Sequence, residues 1–173
     1  MLAADRVEGY ERDMTPQPIT IPLPTEDDTA ALAQKLAQMA RVGDALCLEG
    51  TLGMGKSLLA RHFIRSLTSQ TEPVPSPTFA LLQTYQGRTG PLSHFDLYRL
   101  EHEDELLEIG FYEALEGSIC LIEWPDKAGR DRPQNGLTVR LEEEGAGRRA
   151  TLVPGSDWQD RRDALIELVG PTP

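Results

Sequence analysis

The sequence has few cysteines, no long hydrophobic run and no apolar segment near its N-terminus. No apolar run approaches the roughly 20 residues needed to span a bilayer, which argues against a transmembrane helix. Residues 1–13 mix charges and lack the apolar core of a secretory signal. The two cysteines, Cys47 and Cys120, lie in separate apolar segments. This pattern predicts buried free thiols in a cytoplasmic protein rather than a disulfide or a metal site.

Basic residues are also scarce, because 17 Lys and Arg stand against 28 Asp and Glu, for a net charge of −11. An extended nucleic-acid interface needs clustered Lys and Arg that neutralise phosphates. We therefore expect a more basic partner to contact the nucleic acid if the chain acts in nucleic-acid metabolism. With 39% hydrophobic and 26% charged residues, the chain has the composition of a soluble folded domain.

The order of apolar segments predicts one α/β domain over residues 19–170, preceded by a flexible tail over residues 1–18. Pro16 and Pro18 lie in a stretch without periodicity, which indicates a loose tail. The remaining segments predict a mixed parallel and antiparallel sheet. The expected elements are an edge strand at 20–24, a helix from a Thr25–Asp28 capping box to Gly43, a buried strand at 45–50, a helix at 57–67, a hairpin of strands 78–85 and 92–98, a helix at 101–108 ending near Gly110, a helical turn at 111–115, a buried strand at 118–124, a hairpin at 136–154, and a last helix capped by Ser156 and Gln159, with Trp158, Leu165, Leu168 and Val169 inward.

The stretch from Gly50 to Ser57, "GTLGMGKS", satisfies the pattern G-x-x-x-x-G-K-S/T between a predicted strand and a predicted helix. Glycines let backbone N–H groups turn inward around phosphates, and the helix N-terminus adds a partial positive charge. Lys56 would then reach the β- and γ-phosphates, and the Ser57 hydroxyl would bind Mg²⁺. The motif predicts a triphosphate site.

Three further polar residues are candidates for this site. Glu123 ends an apolar strand, where P-loop proteins place a second carboxylate directed at Mg²⁺, although a solvated strand end is the alternative. Asp96 lies between apolar neighbours on a strand, so it needs a partner, either Arg99 or a metal-bound water. The Thr78 hydroxyl follows a proline-rich loop and would reach Mg²⁺ or the γ-phosphate, as in switch loops, unless this is a simple strand-entry loop.

The three histidines, His62, His94 and His102, lack a spacing that would unite them as metal ligands. We predict surface or packing roles for all three.

Four segments in this order, "GTLGMGKS", "SPTFAL", "HFDLYRL" and "CLIEWP", resemble the TsaE family, also called YjeE, from about Ile21 to Trp158. The family consists of bacterial ATPases of tRNA threonylcarbamoyladenosine synthesis. The resemblance implies a P-loop NTPase-like three-layer sandwich with a mixed sheet, and a cytoplasmic ATPase that uses ATP and Mg²⁺. It also implies that TsaB and TsaD are the partners, that tRNA is contacted only indirectly, and that no membrane is involved. In the family, ATP hydrolysis supports turnover of TsaB and TsaD, which transfer the threonylcarbamoyl group to adenosine 37 of tRNAs that read codons beginning with A.

The resemblance also assigns residues. Lys56, Asp96, Glu123 and Thr78 would act in catalysis, with Asp96 close to the γ-phosphate or to a metal-bound water. Ser57 and Glu123 would hold Mg²⁺. The nucleotide would contact Glu26, Leu52, Gly53, Met54, Gly55, Lys56, Ser57, Trp124 and Arg148, with Glu26 near the adenine. Two positions depart from the family pattern, since Ser57 replaces the usual threonine and Met54 replaces a small residue.

Two other functions share the phosphate-binding motif. A small-molecule kinase would use it to phosphorylate an acceptor, although the sequence offers no nameable acceptor site. A nucleotide-gated binding module would use slow hydrolysis only to reset its affinity for a partner.

Overall fold

The computed structural model describes residues 17–170, so the predicted tail lies outside the described residues except for its last two positions. Seven strands form one sheet in the spatial order β1-β7-β6-β2-β5-β4-β3. The strands are β1 (Ile19–Leu23), β2 (Ala45–Glu49), β3 (Leu82–Gly87), β4 (Gly90–Asp96), β5 (Ile119–Glu123), β6 (Leu137–Glu144) and β7 (Gly147–Pro154).

Five α-helices and two 3₁₀ helices connect these strands within residues 17–170. They are α1 (Glu26–Met39), α2 (Lys56–Leu67), α3 (Glu105–Glu108), α4 (Phe111–Gly117), a 3₁₀ helix (Pro125–Asp131), a second 3₁₀ helix (Ser156–Arg161) and α5 (Arg162–Glu167). Over this part of the chain, no helix combines the length and the apolar character that crossing a membrane requires.

The centre of the sheet is parallel and its flanks are antiparallel. Strand β2 pairs in parallel with β5 and β6, and β5 pairs in parallel with β4. Both "ALCLE" and "ICLIE" are continuous apolar runs, as expected of strands covered on both faces. The hairpins β3–β4 and β6–β7 and the pairing of β1 with β7 are antiparallel. The mixed sheet and the edge position of β1 are therefore confirmed.

Helices cover both faces of the sheet, which confirms the three-layer α/β architecture. Alternate residues of β2 point to opposite cores. Leu46 and Leu48 join the core under α1, α2 and the C-terminal helices. Ala45 and Cys47 join the smaller core under α3, α4 and the 3₁₀ helix Pro125–Asp131. Cys47 and Cys120 are buried free thiols, as predicted.

Two predicted helix boundaries are wrong. The capping box of Thr25 and Asp28 is present, but α1 ends at Met39 rather than at Gly43. The chain turns earlier because the Asp44 carboxylate accepts a hydrogen bond from the Arg41 N–H at 2.7 Å. The acidic segment forms only the four-residue α3, since the Glu105 carboxylate accepts from the two backbone N–H groups that begin the segment.

Two other predicted elements also differ. Residues 78–81 form a turn closed by the Leu81 N–H to the Pro77 carbonyl, so β3 begins later than predicted. The C-terminal helix begins as a 3₁₀ helix whose N-cap is Gly155, and no side chain caps it. Gln159 instead donates to the Pro154 carbonyl at 2.8 Å. Trp158 and Leu165 are buried as predicted, Leu168 is partly buried, and Val169 is exposed.

Candidate functional site

The loop between β2 and α2 is shaped by glycines in left-handed conformations. Gly50, Gly53 and Gly55 have φ values of +143°, +83° and +100°. A Cβ atom on Gly50 would lie 2.7 Å from the Leu141 carbonyl oxygen, so the start of the loop requires glycine. Gly55 is the N-cap of α2, which places the free N–H groups of the first helical turn at the loop. A glycine-rich loop followed by free N–H groups at a helix N-terminus is the arrangement with which proteins bind anions, and this segment has both features.

Lys56 is the first residue of α2 and is buried. Its ammonium donates to the carbonyl oxygens of Gly50 at 2.6 Å and Thr51 at 2.9 Å. It also lies 4.2 Å from the centroid of the Trp124 ring. Burial lowers the pKa of Lys56, and the carboxylates of Glu123 and Asp96 oppose this shift. In this structure the cation is thus held by its own loop.

Ser57 and Glu123 meet because parallel β2 and β5 end at the same edge of the sheet. The Ser57 hydroxyl lies 2.9 Å and 3.1 Å from the two carboxylate oxygens of Glu123. The Glu123 side chain is buried, and its Oε1 also contacts the Nε2 atom of His94 at 2.8 Å. The solvated strand end considered from the sequence is therefore ruled out for Glu123.

The donors at this edge fit a magnesium ion. The hydroxyl and the carboxylate supply the hard oxygen ligands that Mg²⁺ takes from proteins in small number, beside phosphate and water oxygens. Within residues 17–170, no group of three or more His, Cys, Asp or Glu residues forms a complete metal cage. The Ser57 hydroxyl and the buried carboxylate of Glu123 therefore fit a magnesium ion that would take its remaining ligands from outside the protein.

Asp96 ends β4 beside Glu123 in the parallel register. Its Oδ2 accepts from the hydroxyls of Thr78 at 3.1 Å and Ser76 at 3.3 Å, and its Oδ1 accepts from the Tyr98 N–H at 3.0 Å. These contacts anchor the loop of residues 76–78 to the sheet. Arg99, which the sequence offered as a partner for Asp96, lies instead 4.4 Å from the centroid of the Phe79 ring.

Eleven of the twelve predicted site residues line one cavity of about 420 Å³. They are Glu26, Leu52, Gly53, Gly55, Lys56, Ser57, Thr78, Asp96, Glu123, Trp124 and Arg148. Met54 is the exception, because it lines a second cavity of about 740 Å³ on the other side of the loop.

Trp124 and Arg148 form two walls of the smaller cavity. Trp124 has a φ of +57°, which is uncommon for a bulky residue, and its ring packs on Tyr98 with centroids 4.9 Å apart. Arg148 reaches from β7 to the tip of the loop, where it donates to the Gly53 carbonyl at 3.0 Å. Its buried Nε has no partner among residues 17–170.

His94 is the residue that the sequence interpretation missed. The structure buries His94, in agreement with the packing alternative, and in addition places its Nε2 against a carboxylate oxygen of Glu123, a contact that the sequence does not predict. His94 and Asp96 are two residues apart on β4, so they lie on the same face of the sheet. The sequence contains this spacing, which places His94 on the same face as Asp96. It indicates a contact with Glu123 only when β5 is known to be the neighbour of β4.

The fold and the site define an α/β protein in which a glycine-rich loop joins a buried parallel strand to a helix, opposite a strand-end carboxylate. A family model described as "Threonylcarbamoyl adenosine biosynthesis protein TsaE" matches residues 23–151. The chain belongs to the TsaE family. The resemblance of the four sequence segments is thereby confirmed.

Relatives and a solved structure agree with this assignment. Proteins of Rickettsia conorii and Rickettsia felis, both named tRNA threonylcarbamoyladenosine biosynthesis protein TsaE, are 42% identical over 104 residues, or 60% of this chain. The match spans only 59% and 61% of their lengths. The Bacillus subtilis protein of the same name is 37% identical over 69% of this chain and 74% of its own. The crystal structure of Bacillus subtilis YdiB matches with a TM-score of 0.71 and 27% identity, covering 86% of this chain and 94% of that one.

Proposed function

We propose that this chain is an Mg²⁺-dependent ATPase that acts in the formation of threonylcarbamoyladenosine at position 37 of tRNAs that read codons beginning with A. TsaB and TsaD are the proposed partners, and ATP hydrolysis by this chain would support their repeated turnover. Membership of the TsaE family and the printed names of the relatives support the role in tRNA modification.

One observation carries the nucleotide part of the proposal. Lys56, Ser57 and Glu123 converge at the N-terminus of α2, with the Ser57 hydroxyl 2.9 Å from a buried carboxylate oxygen. A bound magnesium nucleotide would supply a polarised terminal phosphoryl group at this point. The proposal does not depend on the larger cavity.

The chain's own groups would have distinct roles in this reaction. Lys56 would exchange its two carbonyl contacts for phosphate oxygens and stabilise the charge on them. Ser57 and Glu123 would hold the metal through their oxygens. Asp96 would orient the attacking water, while Thr78, which already contacts Asp96, would link the loop of residues 76–78 to the site.

The charge of the chain bears on its partners. A net charge of −11 disfavours direct binding to tRNA over a large surface. We therefore propose that tRNA is contacted through TsaB and TsaD and only indirectly by this chain, in the cytoplasm.

The first test is ATP turnover by the purified chain alone and with TsaB and TsaD from the same source. We expect a marked rise with the partners, and loss of turnover in Lys56→Ala with an unchanged melting temperature. Lys35→Ala is the matched control, because Lys35 is exposed on α1. Normal turnover in Lys56→Ala would overturn the site assignment.

Other results of the same assay would favour the alternative functions. Transfer of label from γ-labelled ATP to a small acceptor would indicate a kinase. A rate that the partners leave unchanged, with partner binding that depends strongly on the nucleotide, would indicate a nucleotide-gated binding module.

Variants of the carboxylates test the division of roles. Glu123→Ala and Asp96→Ala should reduce turnover more than nucleotide binding, because negative charge near the metal acts mainly as the transition state develops. Glu116→Ala, an exposed residue of α4, is the control. Equal losses of binding and turnover would contradict the assigned roles.

A further inference from the structure

We propose that His94 is a positioning residue that orients the carboxylate of Glu123 for magnesium binding. The inference rests on the proposed function, because it concerns the same site, and it adds a residue that lies behind the proposed metal ligand rather than in the nucleotide cavity.

The contact is direct and almost completely shielded from water. His94 Nε2 lies 2.8 Å from Glu123 Oε1, and the two side chains are only 1% and 3% exposed. Because a carboxylate oxygen accepts, the hydrogen of this contact is on Nε2. His94 belongs to β4 and Glu123 to β5, so the contact joins neighbouring parallel strands at the edge where the site lies.

Packing alone does not account for an imidazole at this position. The other ring nitrogen, Nδ1, is buried and has no hydrogen-bond partner among the described residues. An unpartnered polar atom in a core is unfavourable, and an aliphatic side chain would fill the same space without it. The hydrogen bond to Glu123 is the one polar contact of the ring within residues 17–170, so orienting that carboxylate is what the imidazole contributes.

The contacts divide the two oxygens of Glu123. Among residues 17–170, Oε1 has hydrogen-bond contacts with both His94 and the Ser57 hydroxyl, whereas Oε2 has such a contact only with Ser57. Because the hydrogen bond from His94 holds Oε1, the Glu123 carboxylate cannot rotate freely, and Oε2 stays on the side of Ser57. Partners of this kind fix the direction of a metal-binding group, and their loss typically costs about 10- to 100-fold in metal affinity or activity.

Two polar substitutions separate this role from packing. His94→Gln keeps an N–H donor at the same number of bonds from Cβ as Nε2, whereas the donor of His94→Asn is one bond too short to reach Glu123. The probe is a fluorescent ATP analogue, and its affinity is measured with Mg²⁺ and again with EDTA in place of Mg²⁺. Both variants remove the imidazole, so only the reach of the donor differs.

We expect His94→Asn to lose about 10- to 100-fold of the affinity gained from Mg²⁺, and His94→Gln to retain most of that gain. Affinity in EDTA should stay near the wild-type value in both variants. His62→Asn, at a partly exposed position of α2 outside the cavity, is the control for loss of a histidine. Melting temperatures of all variants, measured without ligand, check that each chain is folded under the assay conditions.

Two results would overturn the inference. One is a magnesium response of His94→Asn equal to that of the wild type, and the other is an equal loss in folded His94→Gln and His94→Asn. If the wild-type chain binds the nucleotide equally well with Mg²⁺ and with EDTA, the proposed function is overturned, and the positioning role of His94 with it.

Discussion

Glu49, the residue before the glycine-rich loop, offers a test of how the loop is supported. Its carboxylate receives hydrogen bonds from Arg132 and from Arg140, the latter at 2.7 Å. Arg132 also bonds Asp126 at the start of the 3₁₀ helix that follows Trp124. Replacing Glu49 by Gln removes the charge on which both guanidinium groups converge while keeping the size of the side chain.

The contacts of Glu49 with Arg132 and with Arg140 contribute unequally to the free energy of unfolding. Glu49 and Arg132 are 14% and 17% exposed, so their charge-assisted hydrogen bond contributes about 2 kcal/mol. Arg140 is 48% exposed, and its contribution is reduced by solvent to about 0.5 kcal/mol. The Gln carbonyl recovers roughly 0.5 kcal/mol as a neutral acceptor. The net loss of unfolding free energy is therefore about 2 kcal/mol, or roughly 4–8 °C in melting temperature.

The pH dependence gives the sharper test. Burial raises the pKa of Glu49, but the hydrogen bonds from Arg132 and Arg140 outweigh it and hold the pKa below its usual value. A lowered folded-state pKa adds stability that is present above the usual pKa of glutamate and is lost as the pH falls through the folded-state value. Since Gln does not titrate, the difference in unfolding free energy between wild type and Glu49→Gln should stay constant from pH 7 down to the usual glutamate pKa of 4.5, and should shrink as the pH falls further.

The assay is urea unfolding followed by far-ultraviolet circular dichroism at several pH values. Glu143→Gln is the matched control, because Glu143 is exposed on β6 and forms no ion pair with residues 17–170. Two results would refute this account of the contacts of Glu49 with Arg132 and Arg140. One is a difference in unfolding free energy between wild type and Glu49→Gln that does not change with pH, and the other is a loss of unfolding free energy at pH 7 no larger than that of Glu143→Gln.

Two further predictions concern the core. Burial raises the pKa of the Cys47 and Cys120 thiols to about 11. Because the thiolate is the reactive form, neither thiol should react with iodoacetamide near pH 8 until the chain unfolds. Rapid labelling of the native chain would contradict this prediction. The buried guanidinium of Arg161 donates to both oxygens of Asp44, so Asp44→Asn should lower the unfolding free energy by about 3 kcal/mol in urea denaturation. A loss below about 1 kcal/mol would show that the pair is not the main link between the C-terminal 3₁₀ helix and the sheet.

The sequence predicts those parts of the fold that local patterns determine. Continuous apolar runs identify β2 and β5, and the pair Thr25 and Asp28 identifies the start of α1, because strand burial and helix capping depend on adjacent residues. The end of α1 was not predictable in the same way. It depends on Asp44 accepting from the Arg41 N–H, and this contact competes with continuation of the helix toward Gly43.

The same distinction applies to the candidate site. The glycine-rich loop is contiguous in sequence, so Lys56 and Ser57 could be placed at the phosphate cradle without a structure. Glu123 could be nominated because it ends an apolar strand, and Asp96 because an aspartate between apolar neighbours on a strand needs a partner. The direction of each side chain, including that of Met54 into the larger cavity, follows from backbone angles that the sequence pattern does not give.

The partners of Glu49 and Glu123 could not be predicted from the sequence, for a further physical reason. Glu49 pairs with arginines 83 and 91 residues away, and Glu123 with a histidine 29 residues away. Many basic side chains could satisfy each acid on charge alone, and only the order of strands selects among them. The parallel register of β4 with β5 places His94 behind the proposed metal ligand, so the packing order of the sheet determines a chemical property of the site. A change in that register by one residue would turn His94 to the opposite face and leave Glu123 with Ser57 alone.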